Sequence, residues 1–147
     1  MGENKSVKLD FDCIGGAFER AGEASSKIKK MLQRLGIPAD VVRRIAIGTY
    51  EAEMNVIIHA GGGHVVAEVF PDSTVITVSD EGPGIPDINK ALQEGWSTAP
   101  DYVRQMGFGA GMGLPNMQKC SDKFDIQSTV DVGTTIVMVF NNTSEDL

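Results

Sequence analysis

The chain is 147 residues long and carries 13 Lys plus Arg against 20 Asp plus Glu, a formal charge of -7 with a pI near 4.7. That length suits one domain with an ordinary core, and the acidic balance, with no block of lysine or arginine, excludes a nucleic-acid backbone as the main partner. No apolar run approaches the roughly 18 residues of a membrane span and no secretory pattern opens the chain, so a cytoplasmic protein without membrane contact is expected.

No internal repeat or low-complexity stretch divides the sequence, which predicts one domain over residues 1–147. Cys13 and Cys120 match neither a C-x-x-C pair nor a small disulfide scaffold and read as buried free thiols. Val7, Leu9, Phe11 and Cys13 alternate with Lys8, Asp10 and Asp12, the period of a strand with one wet face at or near a sheet edge. Phe18, Ala21, Ser25, Ile28, Leu32 and Leu35 then recur at three and four, predicting an amphipathic helix that Gly36 closes. Lys27, Lys30 and Arg34 form its other face, read as solvated, with a docking patch for an acidic protein as the alternative.

Pro38 opens a second helix, and Asp40 stands where the helix dipole favours an anion. From Val41 and Val42 through Ile45, Ala46, Ile47, Ala52, Met54, Val56, Ile57 and Ile58 there is little room for a wet side, so this is the central, buried helix. Gly48 in its middle costs about 1 kcal/mol against alanine and marks close packing or an approaching ligand. Residues 60–63 break the chain, and the valine- and isoleucine-rich arms 64–70 and 74–79 predict an antiparallel hairpin. A short helix follows over 86–93. Residues 95–112 have no clear period and end in glycines, which predicts a lid, since loops of that length in small domains are usually functional. Leu114-Pro115 opens a helix to about Ser121, and 124–128 with 134–140 form a closing hairpin before a polar tail.

Three stretches carry chemistry. On the central helix Glu51, Asn55 and His59 fall at i, i+4 and i+8, one line on one face, and a polar line on a buried helix must face something polar. Asn55 offers an uncharged oxygen to a hard cation, and magnesium takes such ligands singly. Glu51, one turn earlier, is placed to orient or deprotonate an attacking hydroxyl. Taken singly such a pair is more often a surface pair, but the apolar surroundings speak against that. Asp80, at a strand end before a glycine turn, can accept from an exocyclic amino group and so favour adenine, with an ordinary turn-capping aspartate as the alternative. The glycine run ending at a helix start suits phosphates, although the lysine-bearing phosphate loop and the dinucleotide pattern are both absent.

Glu51 and Asn55 as E-x-x-x-N, Asp80, Gly82 and Gly84 as D-x-G-x-G, Gly111 and Gly113 as G-x-G, and Gly133-Thr134 behind them resemble, in order and spacing, the ATP-binding domain of the histidine-kinase, gyrase and MutL superfamily. The resemblance runs from about residue 7 to 140 and implies an α/β two-layer sandwich, the Bergerat fold, with a mixed, mostly antiparallel sheet and helices on one face. The strings D-E-G-P-G-I-P-D-I and G-M-G-L-P look closest to small bacterial serine/threonine kinases of the anti-sigma-factor and stress-switch group. It implies Glu51 as catalytic base, Asn55 as magnesium ligand, Asp80 as adenine reader, and Gly82, Gly84, Ile85, Gly109, Gly111, Met112, Gly113, Leu114 and Thr134 around the nucleotide. ATP and magnesium are the implied cofactors. The implied substrate is a serine or threonine on a STAS-type anti-anti-sigma protein, with a sigma factor, a phosphatase or a second copy of the chain as further partners. Gly109, Ala110 and Gly111 stand where kinases of this group can carry an arginine, and Arg104 lies earlier in the lid. The alternative is a nucleotide-gated binding module that holds a sigma factor or phosphatase with little catalysis.

Overall fold

The computed structural model describes residues 6–14, 22–92 and 113–143. Among them five strands, β1 (Val7–Ile14), β2 (Gly62–Val69), β3 (Ser73–Asp80), β4 (Lys123–Thr129) and β5 (Gly133–Asn141), form one sheet in the order β1-β2-β3-β5-β4. Four helices accompany it: α1 (Glu23–Arg34), α2 (Ala39–His59), the one-turn α3 (Ile88–Ala91) and α4 (Gly113–Cys120).

Every strand pairing is antiparallel, so the sheet is wholly antiparallel rather than mixed. Two tight hairpins, β2–β3 and β4–β5, supply four of the five strands, and a tight hairpin can pair only in that sense. β1 lies at one edge, as its half-wet alternation predicts, and β4 closes the other. Alternate side chains point inward: Val65, Ala67 and Val69 on β2, Ile76 and Val78 on β3, and Ile136, Met138 and Phe140 on β5 are all buried. The opposite face, with Val66, Val75, Val137 and Val139, stays half-exposed.

α2 is the element the core is built around. It touches β1, β2, β3 and β5 beneath it, with α1 and α4 packed along its flanks, so the helices occupy one layer on the sheet's inner face. Each fully buried aliphatic side chain at these contacts, such as Ile28 and Leu32 on α1 and Ile45 on α2, contributes roughly 1.5–3 kcal/mol. Gly48 is explained by packing: a β-carbon there would come within 3.2 Å of Met138 Sδ and 3.3 Å of Phe140 Cζ, so glycine lets α2 lie close on β5.

Two helix boundaries differ from the sequence expectation. α1 begins at Glu23 because Gly22 has φ +88, a left-handed conformation that cannot continue a right-handed helix backwards. Phe18 and Ala21, which extended the apolar period, lie outside the described residues. The helix expected over 86–93 is shorter, Ile88–Ala91, started by Asp87, whose side chain accepts from the Lys90 N–H at 3.1 Å. Gln93 and the whole of the expected lid, 95–112, also lie outside the described residues. Both cysteines are free, Cys13 buried and Cys120 half-buried. Among the described residues no helix is long and apolar enough to cross a membrane.

Candidate functional site

The site lies where the C-terminal half of α2, the end of β3, the β4–β5 turn and the start of α4 meet. Glu51, Asn55 and His59 are all half-buried on α2, whereas their neighbours Ala52, Met54, Val56 and Ile57 are buried. Burial alone lowers the pKa of His59, which favours a neutral imidazole.

Asp80 closes β3, and its Oδ1 accepts from the Gly82 N–H at 2.9 Å and the Thr134 N–H at 3.3 Å. One oxygen therefore caps the glycine turn and ties β3 to β5. Among the described residues Oδ2 has no hydrogen-bond partner. Turn-capping and base-reading are thus not rival uses of this carboxylate, because they call on different oxygens.

The turn itself is held from two sides. A β-carbon on Gly82 would lie 2.8 Å from Ala60 Cα, so the turn sits directly against the end of α2. Gly84 has φ +78, and a β-carbon there would strike the Thr129 carbonyl oxygen, so both conformation and space require glycine. Across the gap, the Asp131 N–H donates to the Pro83 carbonyl at 2.8 Å. The Ile85 N–H donates to Ser128 Oγ at 2.7 Å, and Ser128 Oγ in turn lies 2.7 Å from Thr134 Oγ1. Two motifs some 50 residues apart, around Asp80 and around Gly133-Thr134, are therefore one hydrogen-bonded unit (Asp80 to Thr134 is a separation of 54).

Glu51 Oε2 accepts from the side-chain amide of Asn116 at 2.8 Å. Oε1 has no hydrogen-bond partner among the described residues, and the Asn55 side chain makes no hydrogen bond to a described residue. Gly113 opens α4, Leu114 is buried in the core at 7 % exposure, Thr134 is buried, and Ile85 packs half-buried against the core. Gly109, Gly111 and Met112 lie outside the described residues.

Three residues the sequence reading passed over are central to this arrangement. Ser128 is a hydroxyl at the inward end of the alternation Phe124, Ile126, Ser128, a position whose polarity was itself a signal. Asn116 stands among buried Leu114, Pro115 and Met117 in the first turn of α4, another polar residue in an apolar setting. Glu53 is 2 % exposed, and its two oxygens accept from the N–H groups of Ala24 at 3.1 Å and Ser25 at 3.3 Å. It supplies the capping that Gly22 has no side chain to provide at the start of α1. Desolvation raises its pKa, opposed by the backbone donors of Ala24, Ser25 and Gly22.

The polar line on α2, the carboxylate at the end of β3 and the glycine turn after it all lie within residues 17–140, which the model of the Histidine kinase-like ATPase domain matches. The chain belongs to that family. This ATPase domain, which uses ATP, is 31% identical over 112 residues to Serine/threonine-protein kinase RsbT of Bacillus subtilis (strain 168), covering 74% of the chain and 78% of the relative. It is 42% identical over 93 residues to Anti-sigma F factor of Heyndrickxia coagulans, covering 58% of the chain and 60% of that relative. Among solved structures, the RsbU and RsbW domains of Rv1364c from Mycobacterium tuberculosis share the fold with a TM-score of 0.62 at 15% identity, over 91% of this chain and 32% of that one. The antiparallel sheet with one helical layer is thus the fold of the superfamily that the four motifs resemble.

Proposed function

We propose that this ATPase domain is a serine/threonine protein kinase of the anti-sigma switch type, transferring phosphate from ATP to a hydroxyl on a STAS-type partner protein. The observation that carries the reading is Glu51: a half-buried carboxylate one turn before Asn55, held at Oε2 by Asn116 and, among the described residues, without a partner at Oε1. Glu51 Oε1 takes the proton of the partner's hydroxyl as that oxygen bonds to the terminal phosphorus and the bridging oxygen leaves with ADP. Asp80 Oδ2 accepts from the adenine amino group, which selects adenine over a base with a carbonyl there. Gly82 and Gly84 shape the nucleotide pocket, and Gly113, which opens α4, stands at its phosphate end.

The half-buried amide oxygen of Asn55 fits a magnesium ion, a hard cation that keeps phosphate oxygens and water as its other ligands. Bound there, magnesium supplies charge neutralisation for the transferring phosphoryl group. Among the described residues no group of three or more His, Cys, Asp or Glu is arranged to hold a metal ion.

Incubation with ATP, magnesium and a co-encoded STAS protein is expected to transfer phosphate in the wild type and not in Glu51→Gln. Absence of transfer to any such protein rejects the reading. Titration calorimetry of ATP into Asp80→Asn, which keeps the turn-capping oxygen but offers an amide in place of Oδ2, is expected to weaken binding at least tenfold, the loss of one hydrogen bond to a charged group at about 1.5–3 kcal/mol. Unchanged affinity would remove Asp80 from the base site.

The second reading, a nucleotide-gated module that holds a sigma factor or activates a phosphatase, is favoured by Gly109, Ala110 and Gly111 in place of an arginine. Full control of the partner by Glu51→Gln in cells would establish it over the kinase.

A further inference from the structure

We infer that Asn116 is a positioning residue for Glu51, fixing which oxygen of the carboxylate meets the incoming hydroxyl; the inference rests on the kinase reading of Glu51 given above. A glutamate in the middle of a helix has three side-chain torsions, and left alone its carboxylate samples several directions. The Asn116 amide removes that freedom by donating to Oε2 at 2.8 Å. A hydrogen bond to an ionised acceptor is among the stronger ones, and among the described residues it leaves Oε1 without a partner.

The donor is itself held. Asn116 has two side-chain torsions and sits on α4 between Pro115 and Met117, both buried, Met117 completely. α4 packs along α2, so the amide and the carboxylate ride on two elements fixed to each other by the core. The donor's chemistry also suits the task. A lysine or arginine at 116 would pair with the carboxylate as a full charge and compete with the proton it must accept, whereas an amide orients it while adding no net charge.

The position of Asn116 links this contact to the nucleotide. α4 starts at Gly113, the last glycine of the second glycine box, and Asn116 follows three residues later in the same turn. The helix that begins at the phosphate-binding glycines therefore also aims the base, and a shift of its first turn moves both together.

Phosphoryl transfer to a STAS partner is measured for wild type, Asn116→Ala and Asn116→Gln, with ATP affinity read separately. Asn116→Ala is expected to lower kcat at least tenfold while the KM and Kd for ATP stay within twofold, because the amide is spent on Glu51 rather than on nucleotide. Asn116→Gln, which keeps an amide on a longer arm, is expected to recover several-fold of that loss. In 15N-labelled protein the Asn116 side-chain NH2 resonances should be displaced from the free-amide position in the wild type and return to it in Glu51→Ala, a readout that needs no activity and no variant at 116. Full kcat in Asn116→Ala, a loss carried by KM alone, or a free-amide resonance in the wild type overturns the positioning role and leaves the kinase reading standing. A wild type that binds ATP and transfers no phosphate overturns the kinase reading itself, and the positioning role with it.

Discussion

Glu51 and Glu53 stand two residues apart on α2, and at 3.6 residues per turn their side chains leave the helix about 200° apart. Glu53 is turned to the α1 side, 2 % exposed, with both oxygens spent on the backbone of Ala24 and Ser25. Glu51 is turned to the α4 side, half-buried, with one oxygen held by Asn116 and the other without a partner among the described residues. The same side chain thus caps a helix with both oxygens on one flank and, on the other, keeps one oxygen without a partner among the described residues. What separates the two is whether the packed neighbour presents enough donors to consume both oxygens: a free helix N-terminus does, a single amide does not.

The largest expected effect breaks the symmetry between them. Glu51→Gln should reduce phosphoryl transfer by a factor of about 100 or more, the usual worth of a general base, while changing stability by less than roughly 0.5 kcal/mol. Retained transfer in this variant would show that the open carboxylate is not the base. Glu53→Ala should do the reverse, lowering stability by about 1–3 kcal/mol because two buried N–H groups of α1 lose their acceptor. Its thermal midpoint should fall by several degrees, with ATP affinity within about twofold of wild type once folded. A loss of transfer in folded Glu53→Ala as large as in Glu51→Gln would erase the distinction between the flanks.

A smaller effect tests the glycine turn that packs between the end of α2 and the β4–β5 turn. Gly84→Ala, forced into a left-handed backbone and against Thr129, should cost about 1–2 kcal/mol and weaken ATP binding, whereas no loss of either would mean the β4–β5 clamp yields.

The smallest effects concern charge on the sealed flank. Because burial raises the Glu53 carboxyl, the folded chain binds this proton more readily than the unfolded one does. That contribution is fully present below the ordinary glutamate value of about 4.3 and is lost as pH rises through the higher folded value. Denaturant melts at stepped pH should therefore show wild type losing stability relative to Glu53→Gln across that window and levelling off above it. A difference that instead grows in favour of wild type with rising pH would mean that the backbone donors outweigh desolvation. Cys13 reports on the same region, since burial first and Glu53 second push its thiol up to about 11. Iodoacetamide at pH 8 should modify it far more slowly in the native protein than after unfolding, and equal rates would show this flank to be open.

Much of the fold was legible because it depends on short-range pattern. Alternation located β1, valine- and isoleucine-rich arms located β2 and β3, and the short turns dictated the two hairpins that make the sheet antiparallel. The density of apolar residues over 41–58 identified α2 as the buried helix, and three residues at spacing four marked its polar line. The start of α1 was misplaced because apolar period carries no information about backbone sign, and Gly22 at φ +88 ends the helix where the period alone would extend it. Gly48 marked close packing or a ligand, but what packs there, Met138 and Phe140, lies 90 and 92 residues away in the chain (138 less 48, 140 less 48).

The sequence by itself determined which residue types fall at which spacing: E-x-x-x-N on a buried helix, D-x-G-x-G after a strand, and glycines before a helix. Those features are periodicities and local backbone demands, and they are complete within a few turns or one loop. Tertiary structure alone decided how each polar group is spent, because the partners come from far along the chain: Asn116 reaches Glu51 across 65 residues, Ser128 reaches Ile85 across 43, and Ala24 reaches Glu53 across 29. A carboxylate's role depends on the donors it meets after packing, and no local pattern contains them.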